Sequence, residues 1–232
     1  MDQPQITKKP THIAFIMDGN RRWAKSQGKF ATTGHKEGAL IAEEAISWCV
    51  KENIPYVTLW ALSTDNWQKR SATELTILFK LIESIPTRAE KMKKYGVTLK
   101  FLGRRRGLPE SVQNSLEKAE KLMHLDNPKH TVYLAINYGG RDEILHAIED
   151  ILANPPEKIT EEVFSQHLFT KDVPDVDLII RTGGAQRLSG FMPWQSVYSE
   201  LYFTDTFWPG LTAEEFQRAL EYYDGTKRNF GK

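Results

Sequence analysis

The sequence predicts an α/β fold: a single domain with a central, mostly parallel six-stranded sheet flanked by helices. Short apolar runs alternate with longer segments of helical periodicity along the chain, and this alternation is typical of right-handed βαβ crossovers. The chain has 232 residues, which is enough for one large domain with a substantial core. The sequence contains no internal repeat, low-complexity tract or clear linker. We therefore expect one domain over residues 1–232.

Each element is predicted from its periodicity and its boundaries. The first strand follows Pro10 and reads as a continuous apolar run, which is typical of a strand buried on both faces. Strands are predicted over residues 12–17, 56–62, 98–102, 132–137 and 177–181, with a weaker one at 201–203. Segments with apolar residues three or four apart are predicted helices. These helices cover residues 34–52, 72–94, 109–124, 141–153, 160–168 and 212–223.

The composition excludes several classes of protein. Lys and Arg number 31 and Asp and Glu number 30, so the net charge of +1 argues against a dedicated nucleic-acid binder. The single cysteine, Cys49, excludes a disulfide framework and a cysteine zinc site, and we expect it in the core. Neither a signal peptide nor an apolar run of membrane-spanning length is present. We therefore expect a cytoplasmic protein.

The segment directly after the first strand, Asp18 to Arg22, carries the strongest functional signal. The Asp18 carboxylate is a hard oxygen ligand of the kind that Mg²⁺ prefers, and Gly19 permits close backbone approach. Arg21 and Arg22 can each donate two hydrogen bonds to phosphate oxygens. The segment therefore predicts a site for a magnesium-bound diphosphate. The alternative is a plain strand-to-helix turn in which Asp18 or Asn20 only caps the helix.

Other strands also end in polar loops. Residues 63–67, 137–141 and 181–184 follow the second, fourth and fifth strands, and Arg187 and Ser189 come shortly after the last of these loops. Because ligands bind beyond the carboxyl ends of parallel strands, these loops should meet at one edge. The arginines indicate a ligand with several negative charges. No nucleotide-binding glycine motif is present, so that ligand need not be a nucleotide.

Taken in order, MDGNRRWA, GHKEGA, LSTDNW, NYGGR, IIRTGG, QRLSGF, WQSVYSELYF and WP resemble the cis-prenyltransferases, the undecaprenyl (di-trans,poly-cis-polyprenyl) diphosphate synthases. The resemblance runs from about His12 to Gly231. It implies a homodimeric α/β enzyme with an apolar tunnel. The implied reaction extends an allylic diphosphate, typically farnesyl diphosphate, with isopentenyl diphosphate units in the presence of Mg²⁺.

The resemblance also implies roles for single residues. Asp18 would be catalytic and would hold magnesium on diphosphate, Glu200 would be a second magnesium-linked carboxylate, and Asn66 would assist proton removal. Because an amide is a poor base, we interpret Asn66 as a positioner, with a diphosphate oxygen as the proton acceptor. The implied substrate contacts are Gly19, Asn20, Arg21, Arg22, Trp23, His35, Ser63, Thr64, Asp65, Trp67, Arg70, Arg181, Arg187, Leu188, Ser189, Arg228 and Gly231.

Several positions depart from the commonest pattern of the family. Arg21 stands where many members have glycine, Ala31 where many have arginine, and Gln186 where histidine is frequent. One extra residue follows the Asn-Trp pair, so either Lys69 or Arg70 could fill the family's arginine position. We prefer Arg70, because the next residues then fall into register.

Two further segments give expectations about the substrate and the assembly. Apolar residues cover more than one face of the helix between Glu74 and Met92, which indicates either a buried core helix or, by resemblance, the lining of the tunnel. Residues 225–232 resemble a tail that reaches the partner subunit, whereas residues 1–11 are expected to be flexible. The product could be delivered to a membrane, with the protein peripheral to it. The alternative function is a non-catalytic partner subunit.

Overall fold

In the computed structural model, which describes residues 6–227, six strands form one parallel sheet. The strand order is β3-β4-β2-β1-β5-β6, and every pair is parallel. The prediction of an α/β fold with a mostly parallel six-stranded sheet is therefore confirmed. The strands are β1 (His12–Ile16), β2 (Tyr56–Ser63), β3 (Val97–Leu102), β4 (His130–Tyr138), β5 (Leu178–Arg181) and β6 (Glu200–Phe203).

Helices flank the sheet. They are α1 (Asn20–Ser26), α2 (Ala31–Lys51), α3 (Thr64–Lys69), α4 (Ala72–Glu83), α5 (Ile85–Met92), α6 (Glu110–Leu122), α7 (Gly140–Ala153), α8 (Glu161–Ser165) and α9 (Ala213–Asp224), with 3₁₀ turns at Lys93–Tyr95 and Trp208–Gly210. None of the helices within residues 6–227 is both long and apolar enough to cross a bilayer.

Alternate residues of each strand pack into different cores. In β1, Ile13 and Phe15 face α2, α5, α6 and α9, whereas Ala14 and Ile16 face the side covered by the segment that includes Phe191. Cys49 lies in the first of these cores and is fully buried, as predicted. Burial raises the pKa of the Cys49 thiol far above its ordinary value. This cysteine is therefore a packing residue.

The strand order creates one switch point, between β1 and β5. The chain moves from β1 to β2 on one side, but β5 joins β1 on the other side. Ile16 is in register with Trp60 of β2 and with Arg181 of β5. The loops after these three strands therefore meet at the carboxyl edge, where open α/β sheets bind ligands.

Two short helices at this edge were not predicted. The sequence suggested loops after β1 and β2, but α1 and α3 begin directly there. Ser63 starts α3 by accepting a hydrogen bond from the backbone N–H of Asn66 at 3.0 Å. Each helix spans fewer than two full turns, which is too short for a periodic apolar pattern.

The helix predicted over residues 72–94 is divided, and that prediction was wrong. Helix α4 ends at Glu83, and α5 starts at Ile85 with Pro86 in its first turn. Proline has no backbone N–H and cannot continue the hydrogen-bond ladder, so the chain breaks at Ser84.

Residues 6–11 are held in place, although we expected flexibility there. The backbone N–H of Lys8 donates to Asp224 at 2.7 Å, and the hydroxyl of Thr7 donates to the same carboxylate at 2.9 Å. The backbone N–H of Thr11 donates to Asp177 at 2.7 Å. These contacts tie the segment to α9 and to the start of β5.

Two glycines let α1 and α2 pack closely. A Cβ atom on Gly34 would lie 2.0 Å from the backbone oxygen of Asn20, and one on Gly38 would lie 2.1 Å from the Asn20 side-chain oxygen. Real Cβ atoms do not approach so closely. The two glycines therefore set the position of α1, which carries several of the predicted site residues.

Gly34→Ala should lower the free energy of unfolding, even though alanine is the better helix former. The gain in helix propensity is about 1 kcal/mol, whereas forcing a methyl group against a backbone oxygen costs about 1–3 kcal/mol. We expect a net loss of up to about 2 kcal/mol in the free energy of unfolding, measured by urea denaturation.

Gly225→Ala is the matched control. Gly225 has a φ of −74°, and the nearest atoms to an added Cβ lie 3.6 Å away. Its unfolding free energy should stay within about 0.5 kcal/mol of the wild type. A Gly34→Ala protein as stable as the wild type would show that the contact between α1 and α2 is loose.

Candidate active site

A cavity of about 1090 Å³ opens at the carboxyl edge of the sheet. Its back wall is the sheet face that carries Leu59, Leu99 and Leu134, and α2, α4 and α5 form its sides. Its mouth is formed by the loops that follow β1, β2 and β5, together with the start of α2. Polar and charged residues therefore surround the entrance, and apolar residues dominate the depth.

The structure brings most of the predicted site residues together at this mouth. They come from chain segments far apart in sequence, as expected for a site at a switch point. The predicted residues that line the mouth are Asp18, Gly19, Asn20, Arg21, Arg22, His35, Ser63, Asp65, Asn66, Arg70, Arg181 and Ser189.

Asp18 is held between two arginines. Its Oδ2 lies 3.1 Å from Nη2 of Arg181, and its Oδ1 lies 3.0 Å from Nη2 of Arg22. The helix that follows is capped by Gly19 and not by a side chain. The alternative of a simple capping aspartate is therefore not supported. The Asp18 side chain is 32% exposed, so a ligand in the mouth can reach it.

Thr182 fixes the backbone of Asp18. The Thr182 hydroxyl donates to the Asp18 carbonyl oxygen at 2.7 Å and accepts from the Asp18 N–H at 3.1 Å. The backbone N–H of Trp208 donates to the same carbonyl oxygen at 2.9 Å. Sequence reasoning noted Thr182 as a loop residue but gave it no role. Thr182 lies 164 residues from Asp18 in the sequence, so no local pattern indicated their contact.

Arg181 is the most buried cation of the mouth, with a residue exposure of 4%. One of its terminal nitrogens, Nη1, donates to the backbone oxygen of Arg187 and to Oγ of Ser189, the latter at 2.8 Å. Burial lowers the pKa of Arg181, and the Asp18 carboxylate opposes that shift. A guanidinium remains charged regardless, so Arg181 is a fixed positive charge.

Arg22 is fixed in a different way. Its Nη1 donates to the backbone oxygen of Gly183 at 2.7 Å, and its guanidinium lies 5.1 Å from the ring centroid of Phe207. Phe207 also explains Gly19, because a Cβ at Gly19 would lie 2.7 Å from that ring. Gly19 adopts a φ of 105°, which favours glycine. Glycine thus allows Arg22 to turn back towards Asp18.

His35 faces the mouth as a neutral imidazole. Burial, and next the positive charge of Arg70, lowers the pKa of His35 to about 4. Nη1 of Arg70 lies 3.4 Å from Nε2 of His35. Because a guanidinium can only donate, Nε2 is the acceptor. The other ring nitrogen then carries the hydrogen and can donate a hydrogen bond to an anion.

The structure distinguishes the two candidates for the extra basic position. Arg70 lines the mouth, as we preferred, whereas Lys69 does not line it and pairs with Asp65 at 3.4 Å. Asn66 is exposed at the mouth. Arg21 also reaches across the entrance to Glu74 at 3.2 Å.

Several predicted contact residues lie outside the cavity. The ring of Trp23 is covered by the Lys29 ammonium group at 5.2 Å. The Thr64 hydroxyl is buried away from the mouth, and the Trp67 ring packs on Phe79 with 5.2 Å between centroids. These three side chains shape the walls and do not line the space.

The other predicted contacts, all in the C-terminal quarter of the chain, do not line the cavity or lie outside the described residues. Arg187 contributes its backbone oxygen to Arg181, while its side chain is exposed. Leu188 packs against the core on the other face of the sheet. Arg228 and Gly231 lie outside the described residues.

Glu200 does not join Asp18 within one chain. Glu200 begins β6 and is in register with Leu178, which is itself in register with Ile13. Asp18 follows Ile16, which ends β1 three residues beyond Ile13, so the two backbone positions are about 10 Å apart along the strands and about 10 Å apart across the sheet. A shared metal ion would therefore need Glu200 of a second copy. Among residues 6–227, no group of three or more His, Cys, Asp or Glu could hold a metal ion.

Some residues at the mouth were given no role from the sequence. Lys25 and Lys29 line it, and Lys25 is one helical turn after Arg21. Ala31, where the resemblance leads us to expect an arginine, also lines it. The lysines therefore add positive charge close to that alanine. The helical spacing in α1 would have revealed Lys25, had α1 been predicted.

Apolar side chains from α2, α4 and α5 line the depth of the cavity. Pro86 does not prevent α5 from continuing the wall that α4 begins. In the apolar segment between Glu74 and Met92, Leu78, Leu81, Ile82 and Ile85 line the cavity, whereas Leu75, Ile77 and Phe79 do not. Glu43 and Arg88 are charged residues in this deeper part. The arrangement suits an elongated ligand with an anionic head and a hydrocarbon tail.

Known proteins are similar in sequence to this chain over nearly its whole length. Residues 16–231 match the family model described as putative undecaprenyl diphosphate synthase. An isoprenyl transferase of Aquifex aeolicus is 45% identical over 97% of this chain and 97% of its own length. A Buchnera aphidicola protein, named ditrans,polycis-undecaprenyl-diphosphate synthase ((2E,6E)-farnesyl-diphosphate specific), is 40% identical over 95% of this chain and 90% of its own length.

Solved structures agree with the sequence comparison. Lavandulyl diphosphate synthase from Lavandula x intermedia, in complex with dimethylallyl diphosphate, superposes with a TM-score of 0.91 at 33% identity, over 97% of this chain and 99% of that one. A probable undecaprenyl diphosphate synthase from Campylobacter jejuni gives a TM-score of 0.80 at 32% identity, over 97% and 100%. The chain therefore belongs to the cis-prenyltransferase family, that of the undecaprenyl diphosphate synthases.

Proposed function

We propose that this chain condenses isopentenyl diphosphate with an allylic diphosphate, farnesyl diphosphate being the expected primer, to make a poly-cis-prenyl diphosphate. The observation that carries the proposal is the cluster of Asp18, Arg22 and Arg181 at the entrance of a large apolar cavity. Cavities of about 300–1,000 Å³ hold drug-sized ligands. The volume of about 1090 Å³ favours a substrate longer than two five-carbon groups.

The fixed arginines explain how the carbon–oxygen bond of the allylic substrate could break. Negative charge develops on the leaving diphosphate as the isopentenyl double bond attacks the allylic carbon. Arg22 and Arg181 are already held by Asp18, Gly183 and Ser189. Charges that need no reorganisation stabilise such a transition state most effectively.

The proton released after condensation needs an acceptor. Asn66 is exposed at the mouth, where its amide can orient the isopentenyl unit, and a diphosphate oxygen can take the proton. His35 is neutral at pH 7 because its pKa is about 4. It can therefore donate a hydrogen bond to a diphosphate without adding a charge.

Asp18 fits a magnesium ion that arrives with its diphosphate. Mg²⁺ is usually bound through one or two carboxylates together with substrate phosphates, and the mouth offers the Asp18 carboxylate among several cations. When bound, the ion would offset charge on the leaving diphosphate. Asp18 would contribute a carboxylate oxygen now engaged by an arginine.

The position of Glu200 supports a homodimer. If Glu200 assists with magnesium, it does so from a second copy, because its own chain keeps it far from Asp18. The tail with Arg228 and Gly231 would likewise complete the isopentenyl site of the partner. We also propose a cytoplasmic enzyme that passes its product to a membrane, since a polyprenyl chain is poorly soluble in water.

A non-catalytic partner subunit is the alternative function, and the site argues against it. Partner subunits that resemble this family lose the aspartate loop, whereas Asp18 is present here with both arginines in contact. The relatives named above are transferases and synthases.

Asp18→Asn should lower the rate of condensation roughly 10²–10³-fold, the usual loss when one preorganised electrostatic group is removed. The measurement is incorporation of labelled isopentenyl diphosphate into farnesyl diphosphate with Mg²⁺, with the products sized. Chelation of Mg²⁺ should silence the wild type. Glu117→Gln, which changes a half-exposed carboxylate on α6, should retain full activity. Near wild-type turnover by a folded Asp18→Asn protein would refute the assignment.

Leu81→Trp should shorten the products, because Leu81 lines the depth of the cavity and a larger side chain leaves less room for hydrocarbon. Ile77→Trp is the matched control, since Ile77 lies on the same helix but does not line the cavity. Products of equal length from the wild type and a folded Leu81→Trp protein would show that the chain grows elsewhere.

Mixed subunits should test the shared site. Asp18→Asn and Arg228→Ala proteins should each be inactive alone, whereas an equilibrated mixture should recover about a quarter of wild-type activity. Random pairing in a two-fold dimer makes half the dimers mixed, each with one intact site. No recovery, despite demonstrated subunit exchange, would place the tail in its own subunit's site or in none.

A further inference from the structure

One ion pair lies in the apolar depth of the cavity. Nη1 of Arg88 on α5 lies 2.6 Å from Oε1 of Glu43 on α2. Nε of Arg88 also donates to the hydroxyl of Ser84 at 3.3 Å. Both charged residues line the cavity, and each side chain is 29% exposed. The reaction proposed above gives this pair no task.

The pair lies well inside the mouth. Helix α2 runs from the carboxyl edge of the sheet towards the amino edge, and Glu43 is eight residues beyond His35. This spacing corresponds to about 12 Å along the helix axis. The cavity continues past the pair, where Ile46, Met92 and Val132 line it. A chain that fills the deepest part must therefore pass beside these charged groups.

Passing the pair is unfavourable for a hydrocarbon. The two charged groups keep part of their exposure to the cavity, so a hydrocarbon packed against them would remove water and return no hydrogen bond. The pair also joins α2 to α5, two of the helices that form the sides of the cavity. It therefore makes the passage polar and narrows it at this depth.

We propose that the Glu43–Arg88 pair is a determinant of product length, at which growth of the hydrocarbon becomes unfavourable. The inference rests on the proposed function, because it needs a growing chain in the cavity. A purely structural tie between α2 and α5 is the competing explanation. Such a tie would change stability when broken but would leave the product lengths unaltered.

The test compares product lengths among three variants of the pair. Glu43→Leu combined with Arg88→Met removes both charges and should lengthen the main product by at least one isoprenyl unit. Glu43→Gln alone should also shift the distribution, since it breaks the pairing of charges. Glu43→Arg combined with Arg88→Glu restores an ion pair with reversed polarity, and it should return the distribution to that of the wild type.

The exposed pair of Glu117 and Lys121 on α6, 2.6 Å apart, provides the control. Glu117→Lys combined with Lys121→Glu should leave product lengths unchanged. The rate of the first condensation should stay within a few fold of wild type in all variants, because the pair lies away from the mouth, and thermal melting should confirm that each is folded.

Each result bears on the inference. Longer products from the uncharged variant, with recovery in the charge-reversed variant, would support it. Wild-type product lengths from folded, active variants would overturn it and leave the proposed function intact. A wild-type protein that makes no prenyl product with Mg²⁺ and farnesyl diphosphate would overturn the proposed function, and the inference with it.

Discussion

The site depends on a constraint of topology. Strand β1 lies between β2 and β5, and the connections that follow β1 and β5 run in opposite directions along the sheet. A crevice therefore opens beyond the carboxyl end of β1, where no crossover can close it. Asp18 enters this crevice from β1 and Arg181 from β5, so their contact at 3.1 Å joins two distant parts of the chain. Thr182 and Gly19 refine the geometry, but the sheet order makes the meeting possible.

Polarity changes along the cavity because different elements build its two ends. The mouth consists of loops and helix starts, where backbone turns present charged side chains. The depth lies between the sheet face and the helices α2, α4 and α5, where side chains must be apolar to pack. The division between α4 and α5 at Ser84 lets the second helix follow the sheet while Arg88 reaches Glu43.

Much of this architecture can be predicted from the sequence, and the failures have physical causes. Apolar runs locate the strands, and polar strand ends locate the mouth, because parallel strands share one carboxyl edge. Pro86 indicates a break before α5, but the apolar pattern continues through this proline and predicted a single helix. The distance of Glu200 from Asp18 depends on strand register, which no local pattern gives. The meeting of Glu43 and Arg88 depends on helix packing across 45 residues of sequence.

The pairing of Asp18 with Arg22 and Arg181 has a thermodynamic consequence. Arg22 and Arg181 already compensate the negative charge of the Asp18 carboxylate, so a lone cation must compete with two guanidinium groups for it. A diphosphate would draw those guanidinium groups towards itself and release the carboxylate for the metal. Metal and diphosphate would then raise each other's affinity by the same factor, as reciprocal linkage requires. If Mg²⁺ binds at Asp18 as proposed, its affinity would be low without diphosphate, and the two ligands would enter as a unit.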